Sequence, residues 1–237
     1  MDAARRSQLQ DWLHSLGIQP ASIDIDWEEL DQALTHPSIS GDRNYEKLEF
    51  FGDAALRLAA AEYLMAELPA ATVGDLSALR SRLVSDRTLA DIAHQYRLGE
   101  LLHLSAAARK DTAAQQSQLA DGLEAVLGVL YRTTHNTDLV HQWLDRHFRQ
   151  LAAQMLADPA MGNYKNALQE LTQARFQVLP DYQTQELNQI HGDSERFGSE
   201  VWVQGRAWGT GKGRSIKLAE QNAARAAYQA LIANPLP

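Results

Sequence analysis

The sequence predicts two units of different class: an all-α domain over residues 1–157 and a small α+β domain of order α-β-β-β-α over residues 163–237. Three observations predict this. As far as residue 157 the apolar residues recur at helical spacing, and no stretch alternates as a strand would. Asp158-Pro159-Ala160-Met161-Gly162 then sets proline and glycine close together, the composition of a linker over 158–162. Beyond it, stretches that alternate with period two lie between two helical ones.

In order, residues 6–18 carry Leu9, Trp12, Leu13 and Leu16 on one helical face, and Gly17 stops it. Asp26 is a candidate cap for a second helix over 27–34, broken by Thr35-His36-Pro37-Ser38. A helix opens in Asn44–Leu58 and runs on to Leu68, where Pro69 ends it. Its core face reads as Leu48, Phe51, Ala55 and Leu58. Asp75 and Asp86 are candidate caps for helices over 76–84 and 88–96. Residues 101–118 read equally as loop or helix, and helices return over 119–133 and 141–156. In the second unit, helices are expected over 163–174 and, capped by Ser215, over 216–233. Strands are expected over 182–190, 197–203 and 206–210, with a turn at Gly192-Asp193. Gly209, Gly211 and Gly213 read as a glycine-spaced loop. Trp202 and Trp208 are expected to pack the sheet onto its helices.

Of 237 residues 45% are hydrophobic, enough for a buried core, and no apolar run is long enough to cross a membrane. The first residues lack the apolar segment of a secretory signal, and there is no cysteine to form a disulfide or ligate zinc. A cytoplasmic setting is the expectation. The net charge of −8 is uneven: residues 1–159 hold 14 Lys and Arg against 23 Asp and Glu, whereas residues 160–237 hold 8 against 7. An argument for a polyanionic partner therefore rests on local clusters, not on the total.

One such cluster is acidic. On the helix opening at Asn44, Glu46, Glu49 and Asp53 stand i, i+3, i+7 and fall within a sector of roughly 60°. A second acidic pair, Asp121 and Glu124, recurs at i, i+3 in QLADGLEAVLGVLY, opposite a core face of Leu119, Leu123, Val126 and Leu130. Gly128, one turn on, reads as leaving the surface open. Such pairs suit either a solvated face or oxygen ligation of magnesium beside a phosphate substrate. Phe50 lies away from the core face, so a neighbouring helix or a partner must cover it. The histidines show no ligand spacing and read as structural or surface.

EKLEFFGDAAL and LADGLEAVLG resemble the two acidic motifs of bacterial ribonuclease III. LTHPS ahead of the first and DLSALRSRLV between them are similar to the same family. NYKNALQELTQ and GTGKGRSIKLAEQNAA resemble the two helices of a double-stranded-RNA-binding domain. The resemblance covers nearly the whole chain and implies an all-α endonuclease domain followed by that α+β RNA-binding domain. It implies a homodimer that cuts duplex RNA, including ribosomal precursors, leaving 5′-phosphate and 3′-hydroxyl ends with short 3′ overhangs. It implies magnesium, replaceable by manganese, as cofactor on Glu49, Asp53, Asp121 and Glu124, with Asp53, Glu124 and Glu46 as catalytic residues and Phe50 as a dimer contact. In the second domain it implies RNA contacts from Gln169, Glu170, Gln173, Lys212, Arg214 and Lys217. The rival readings are a duplex-RNA binder without cleavage and a helical protein whose acidic faces are merely solvated.

Three departures from the family pattern stand out. Ser215-Ile216-Lys217-Leu218-Ala219-Glu220 has one lysine where the family has two, and His191-Gly192-Asp193-Ser194 lacks the G-P-x-H histidine. Thr72-Val73 stands where an auxiliary acid is common.

Overall fold

In the computed structural model the described residues are 1–157, 164–190 and 193–233. The expected linker, His191 and Gly192 lie outside them. Two compact units form, Met1–Ala153 and Gln154–Pro237.

The first unit is helical, as expected: α1 (Ala3–Ser15), α2 (Trp27–Ala33), α3 (Glu46–Glu67), α4 (Val73–Leu83), α5 (Asp86–Gln95), α6 (Ala106–Lys110), α7 (Gln115–Thr134) and α8 (Asp138–Ala157), which extends past the division between units. The ambiguous stretch before α7 resolves into the short α6, whose cap is Ser105. Asp26 caps α2 by accepting from the amides of Glu28 and Glu29. The expected caps of the next two helices are displaced. Thr72 caps α4, with Asp75 returning the bond to the Thr72 amide, and Ser85 caps α5. Asp75 and Asp86 each sit in the first turn instead, where a carboxylate meets the positive end of the helix.

Helix α7 is the axis of this unit. Its central residues from Gln118 to Leu130 are all buried except Asp121 and Glu124, which are only partly so. The four core positions expected there are buried, but so are Ala120, Gly122, Ala125, Leu127 and Val129, because α2, α3 and α5 pack around the helix. Helix α3 packs on it most extensively.

The contact between α3 and α7 corrects two expectations. A Cβ placed on Gly52 would lie 1.8 Å from the Glu124 carbonyl oxygen, and one on Gly128 would lie 2.5 Å from the Leu48 carbonyl oxygen. Gly128 is thus no open surface; it is half of a glycine crossing at which two helix backbones touch. The buried side of α3 is Leu48, Gly52, Ala55, Leu56, Ala59, Ala60, Tyr63 and Leu64. This face is rotated by roughly 90° from the expected one. Phe51 and Leu58 fall outside it, 37% and 46% exposed. Large side chains marked the apparent core face, whereas the actual one is set by the small residues that let α7 approach.

The second unit is α9 (Tyr164–Phe176), β1 (Asp181–Glu186), β2 (Phe197–Val203), β3 (Arg206–Gly213) and α10 (Ile216–Ala233). The strands pair antiparallel in the order β1-β2-β3, with Tyr182 opposite Val201 and Ser199 opposite Gly211. Tyr164, Leu168, Val201, Ala223, Ala224, Ala227 and Leu231 form the core, with Trp208 partly buried against it. Trp202 lies outside that cluster, at an alternate position of β2. Ser215 caps α10 by accepting from the Leu218 amide. β1 ends at Glu186, short of the expected Ile190. β3 runs three residues past the expected Thr210, so the glycine-spaced stretch is strand and not loop. The reason is close packing: a Cβ on Gly209 would lie 2.4 Å from the Ala227 amide nitrogen, one on Gly211 2.2 Å from that of Ala223, and one on Gly213 2.7 Å from that of Ala219. Three alanines four residues apart on α10 seat three alternate glycines of β3.

Gly52→Ala is expected to destabilise the chain by about 3 kcal/mol or more, since backbone must move to admit the methyl group. Gly41→Ala, where a Cβ meets nothing within 4 Å, is expected to change stability by less than about 0.5 kcal/mol. Urea denaturation followed by far-ultraviolet circular dichroism measures both.

Candidate active site

The crossing at Gly52 and Gly128 lays the acidic line of α3 beside that of α7. Glu49 and Asp53 come from one helix, Asp121 and Glu124 from the other, and all four are partly buried. Their charges act on one another. Burial raises the Glu49 carboxyl above its ordinary range, and Asp121, Glu46 and Asp53 push it further. Burial also raises Asp121, partly offset by the Tyr45 hydroxyl, which donates to it at 3.4 Å. Glu124 is moved most: burial, then Asp53, Glu49, Asp121 and Asp86, push it up to about 8. Carboxylates that repel one another while partly buried suit a cation.

Asp53 alone of the four is matched by a cation among the described residues. Arg57, one turn on, donates through Nε to both Asp53 oxygens at 2.8 Å. Glu46 stands exposed at the N-terminal end of α3. Buried Asn44 holds it there, accepting from the Glu46 amide at 3.0 Å and donating through its side-chain nitrogen to the Glu46 carboxylate at 3.1 Å. Among the described residues, no three acidic or histidine side chains already converge as a metal-ligand set. The donors nonetheless fit a hard divalent ion: all are carboxylate oxygens, drawn from two helices and lacking neutralisation except at Asp53.

Sequence reasoning missed three participants. Tyr45, 3% exposed, spans from the start of α3 to Asp121, and its own phenol is raised by burial and by Asp121. Asp86 adds negative potential at Asp121 and Glu124 from the first turn of α5. Asn44 fixes Glu46. Tyr45 and Asn44 directly precede the acidic motif, and an aromatic hydroxyl and an amide there were the available signal. Among the described residues, the histidines are structural or at the surface, as expected. His141, for example, bridges Glu62 and Asp145 at 3.2 and 2.8 Å.

In the second unit Gln169, Glu170 and Gln173 are exposed on one side of α9. Arg214 and Lys217 are exposed at the start of α10, beside the exposed Ile216 and Leu218. Lys212 does not join them. Strand alternation turns it away from α10, on the side opposite Gly211 and Gly213, where it pairs with Glu195 at 2.9 Å. The glycines serve packing, which leaves the helix end and the two exposed cations at the start of α10.

Residues 46–134 match the model of the Ribonuclease III domain, and residues 164–231 match that of the Double-stranded RNA binding motif. Ribonuclease 3 2 of Nostoc sp. is 53% identical over 227 residues, 96% of this chain and 93% of that protein. The chain belongs to the ribonuclease III family. Ribonuclease 3 of Gloeobacter violaceus, another member, is 46% identical over 211 residues, 87% of this chain and 85% of its own length. Among solved structures, the nuclease domain of ribonuclease III from Campylobacter jejuni is similar, with 31% identity and a TM-score of 0.49, covering 62% of this chain and 94% of that one. As a ribonuclease III, this protein is an endoribonuclease for double-stranded RNA, and its two acidic lines lie within the matched nuclease segment. Among the described residues no helix is long and apolar enough to cross a membrane.

The raised carboxyl of Glu124 has a consequence for stability. Its ordinary value is 4.5 and its folded value about 8, so between these the folded chain holds a proton that the unfolded chain releases. The associated stability is full below pH 4.5 and is lost as pH rises through 8. Glu124→Gln is expected to flatten that decline and, without divalent ions, to raise stability at pH 8.5 by about 1–2 kcal/mol, a figure discounted for the part of the carboxyl left in water. Thermal melts in chelator from pH 5 to 8.5 check this.

Proposed function

We propose that this ribonuclease III hydrolyses duplex RNA with magnesium, or manganese in its place, held by Glu49, Asp53, Asp121 and Glu124. The observation that carries the reading is the glycine crossing, which brings carboxylates of two helices close enough to repel one another. When bound, the ion supplies Lewis-acid polarisation of the phosphodiester and a more acidic attacking water. Tyr45 orients Asp121 by its hydroxyl. Glu46, braced by Asn44, stands at the rim, where it meets RNA near the scissile bond. The products are 5′-phosphate and 3′-hydroxyl ends with short 3′ overhangs, and the substrates are structured precursors such as ribosomal RNA. A cytoplasmic setting accords with a chain without cysteine.

Gln169, Glu170 and Gln173 suit the 2′-hydroxyls and base edges of a shallow minor groove. Arg214 and Lys217 suit phosphate at the N-terminus of α10, helped by the helix dipole. Lys212 can contribute only after leaving Glu195. A homodimer is supported by an uncovered stripe on α3: Phe50, 82% exposed, with Phe51, Ala54, Leu58 and Met65 within about 100° of one another.

Cleavage of a long perfect RNA duplex, beside a single-stranded control, tests the catalytic reading. Glu124→Gln is expected to slow magnesium-dependent cleavage by roughly a hundredfold or more while retaining duplex binding. Wild-type rates from that variant would remove Glu124 from the mechanism. Lys217→Ala is expected to weaken duplex binding and to lower the slope of log affinity against log salt by about one. Phe50→Glu is expected to convert a dimer into a monomer in light scattering; an unchanged mass would exclude this stripe as the interface.

A further inference from the structure

We infer that Arg57 is a tethered counter-cation that competes with the divalent ion for Asp53 and so sets how much metal the enzyme requires. The inference rests on the proposed metal site and adds a positioning residue to it. The guanidinium sits one helical turn from Asp53 and donates through Nε to both of its oxygens at 2.8 Å. No other member of the acidic quartet forms an ion pair among the described residues: Arg57 is bonded to Asp53 and acts on Glu124 only through space. Its side chain is 53% exposed, and that of Asp53 35%. The pair is therefore wet enough to open at low cost, since ion pairs in contact with water are weak.

An ion entering between α3 and α7 meets the other three carboxylates without a cationic partner and Asp53 already engaged. Two consequences oppose its entry. The Asp53 oxygens must be shared with, or taken from, the guanidinium. The fixed positive charge also repels a divalent cation while Arg57 stays beside Asp53. In return, the cluster is partly neutralised before the ion arrives, which limits the repulsion among carboxylates that folding must tolerate. The arrangement trades ion affinity for stability of the metal-free chain.

Direct titration of the full chain with Mn²⁺ alone at pH 8, without RNA, tests this by electron paramagnetic resonance of the free ion. Arg57→Gln is expected to tighten Mn²⁺ binding by roughly threefold to tenfold. Arg57→Lys keeps the charge on a side chain without the planar fork and is expected to fall between Arg57→Gln and wild type. Thermal melts in chelator should show Arg57→Gln less stable than wild type, and added Mn²⁺ should restore it more than it raises wild type. Wild type that binds no Mn²⁺ would overturn the proposed metal site and this inference together. Wild type that binds while Arg57→Gln binds equally or more weakly would overturn the inference alone, because Arg57 would then be orienting Asp53 for the ion.

Discussion

Backbone contact between α3 and α7 at Gly52 and Gly128 is the constraint on which the nuclease unit depends. Helices that meet through ordinary side chains lie about 8–10 Å apart. Here a Cβ at Gly52 would lie 1.8 Å from a carbonyl of the other helix, so the two axes approach closely. Short carboxylates on neighbouring faces are thereby set beside one another, and Tyr45 can reach Asp121. The same closeness creates the electrostatic strain. Glu124 is pushed up to about 8 because burial and four carboxylates act on it at once. A locally unfavourable cluster is tolerated where the surrounding packing is strong, as functional sites commonly are. Leu48, Leu56, Leu123 and Leu127 around the crossing are buried and offset it.

The RNA-binding unit uses the same device on a different pair of elements. Gly209, Gly211 and Gly213 lie against the backbone at Ala227, Ala223 and Ala219. α10 is thus held flat on an edge strand, and the start of that helix, with Arg214 and Lys217, is fixed at the end of β3. The strand's alternation that turns the glycines inward turns Lys212 outward to Glu195. A stretch that looked suited to phosphate by composition packs against α10 and positions the helix end proposed to meet phosphate.

Much of this was legible in the sequence, and most of the failures share a cause. Helical periodicity and the turn residues gave the order of elements, and the spacing of Glu49 with Asp53 and of Asp121 with Glu124 gave the acidic lines. The face of α3 was misjudged because Phe51 and Leu58 look like core, whereas Gly52, Ala55 and Ala59 are where α7 lies. Gly128 and the β3 glycines were misread for the same reason: a glycine's part in close packing depends on what approaches it, and that partner is distant in sequence. Caps were displaced by a few residues because threonine, serine and aspartate compete for the same amides, and local geometry chose Thr72 and Ser85. Asp86 was invisible as a site residue, and Asn44 was signalled only by its place before the acidic motif, because neither falls on an acidic helical line. Their roles come from tertiary placement and from a side-chain bond across a helix start.

The central claim is that the crossing of α3 and α7 builds one divalent-ion site from both helices. Anomalous diffraction from crystals of the chain soaked in Mn²⁺ tests it most directly. The account predicts a manganese peak in contact with carboxylate oxygens of α3 and of α7, from the set Glu49, Asp53, Asp121 and Glu124. A peak held by one helix alone, or no peak in the cleft at saturating Mn²⁺, would contradict it.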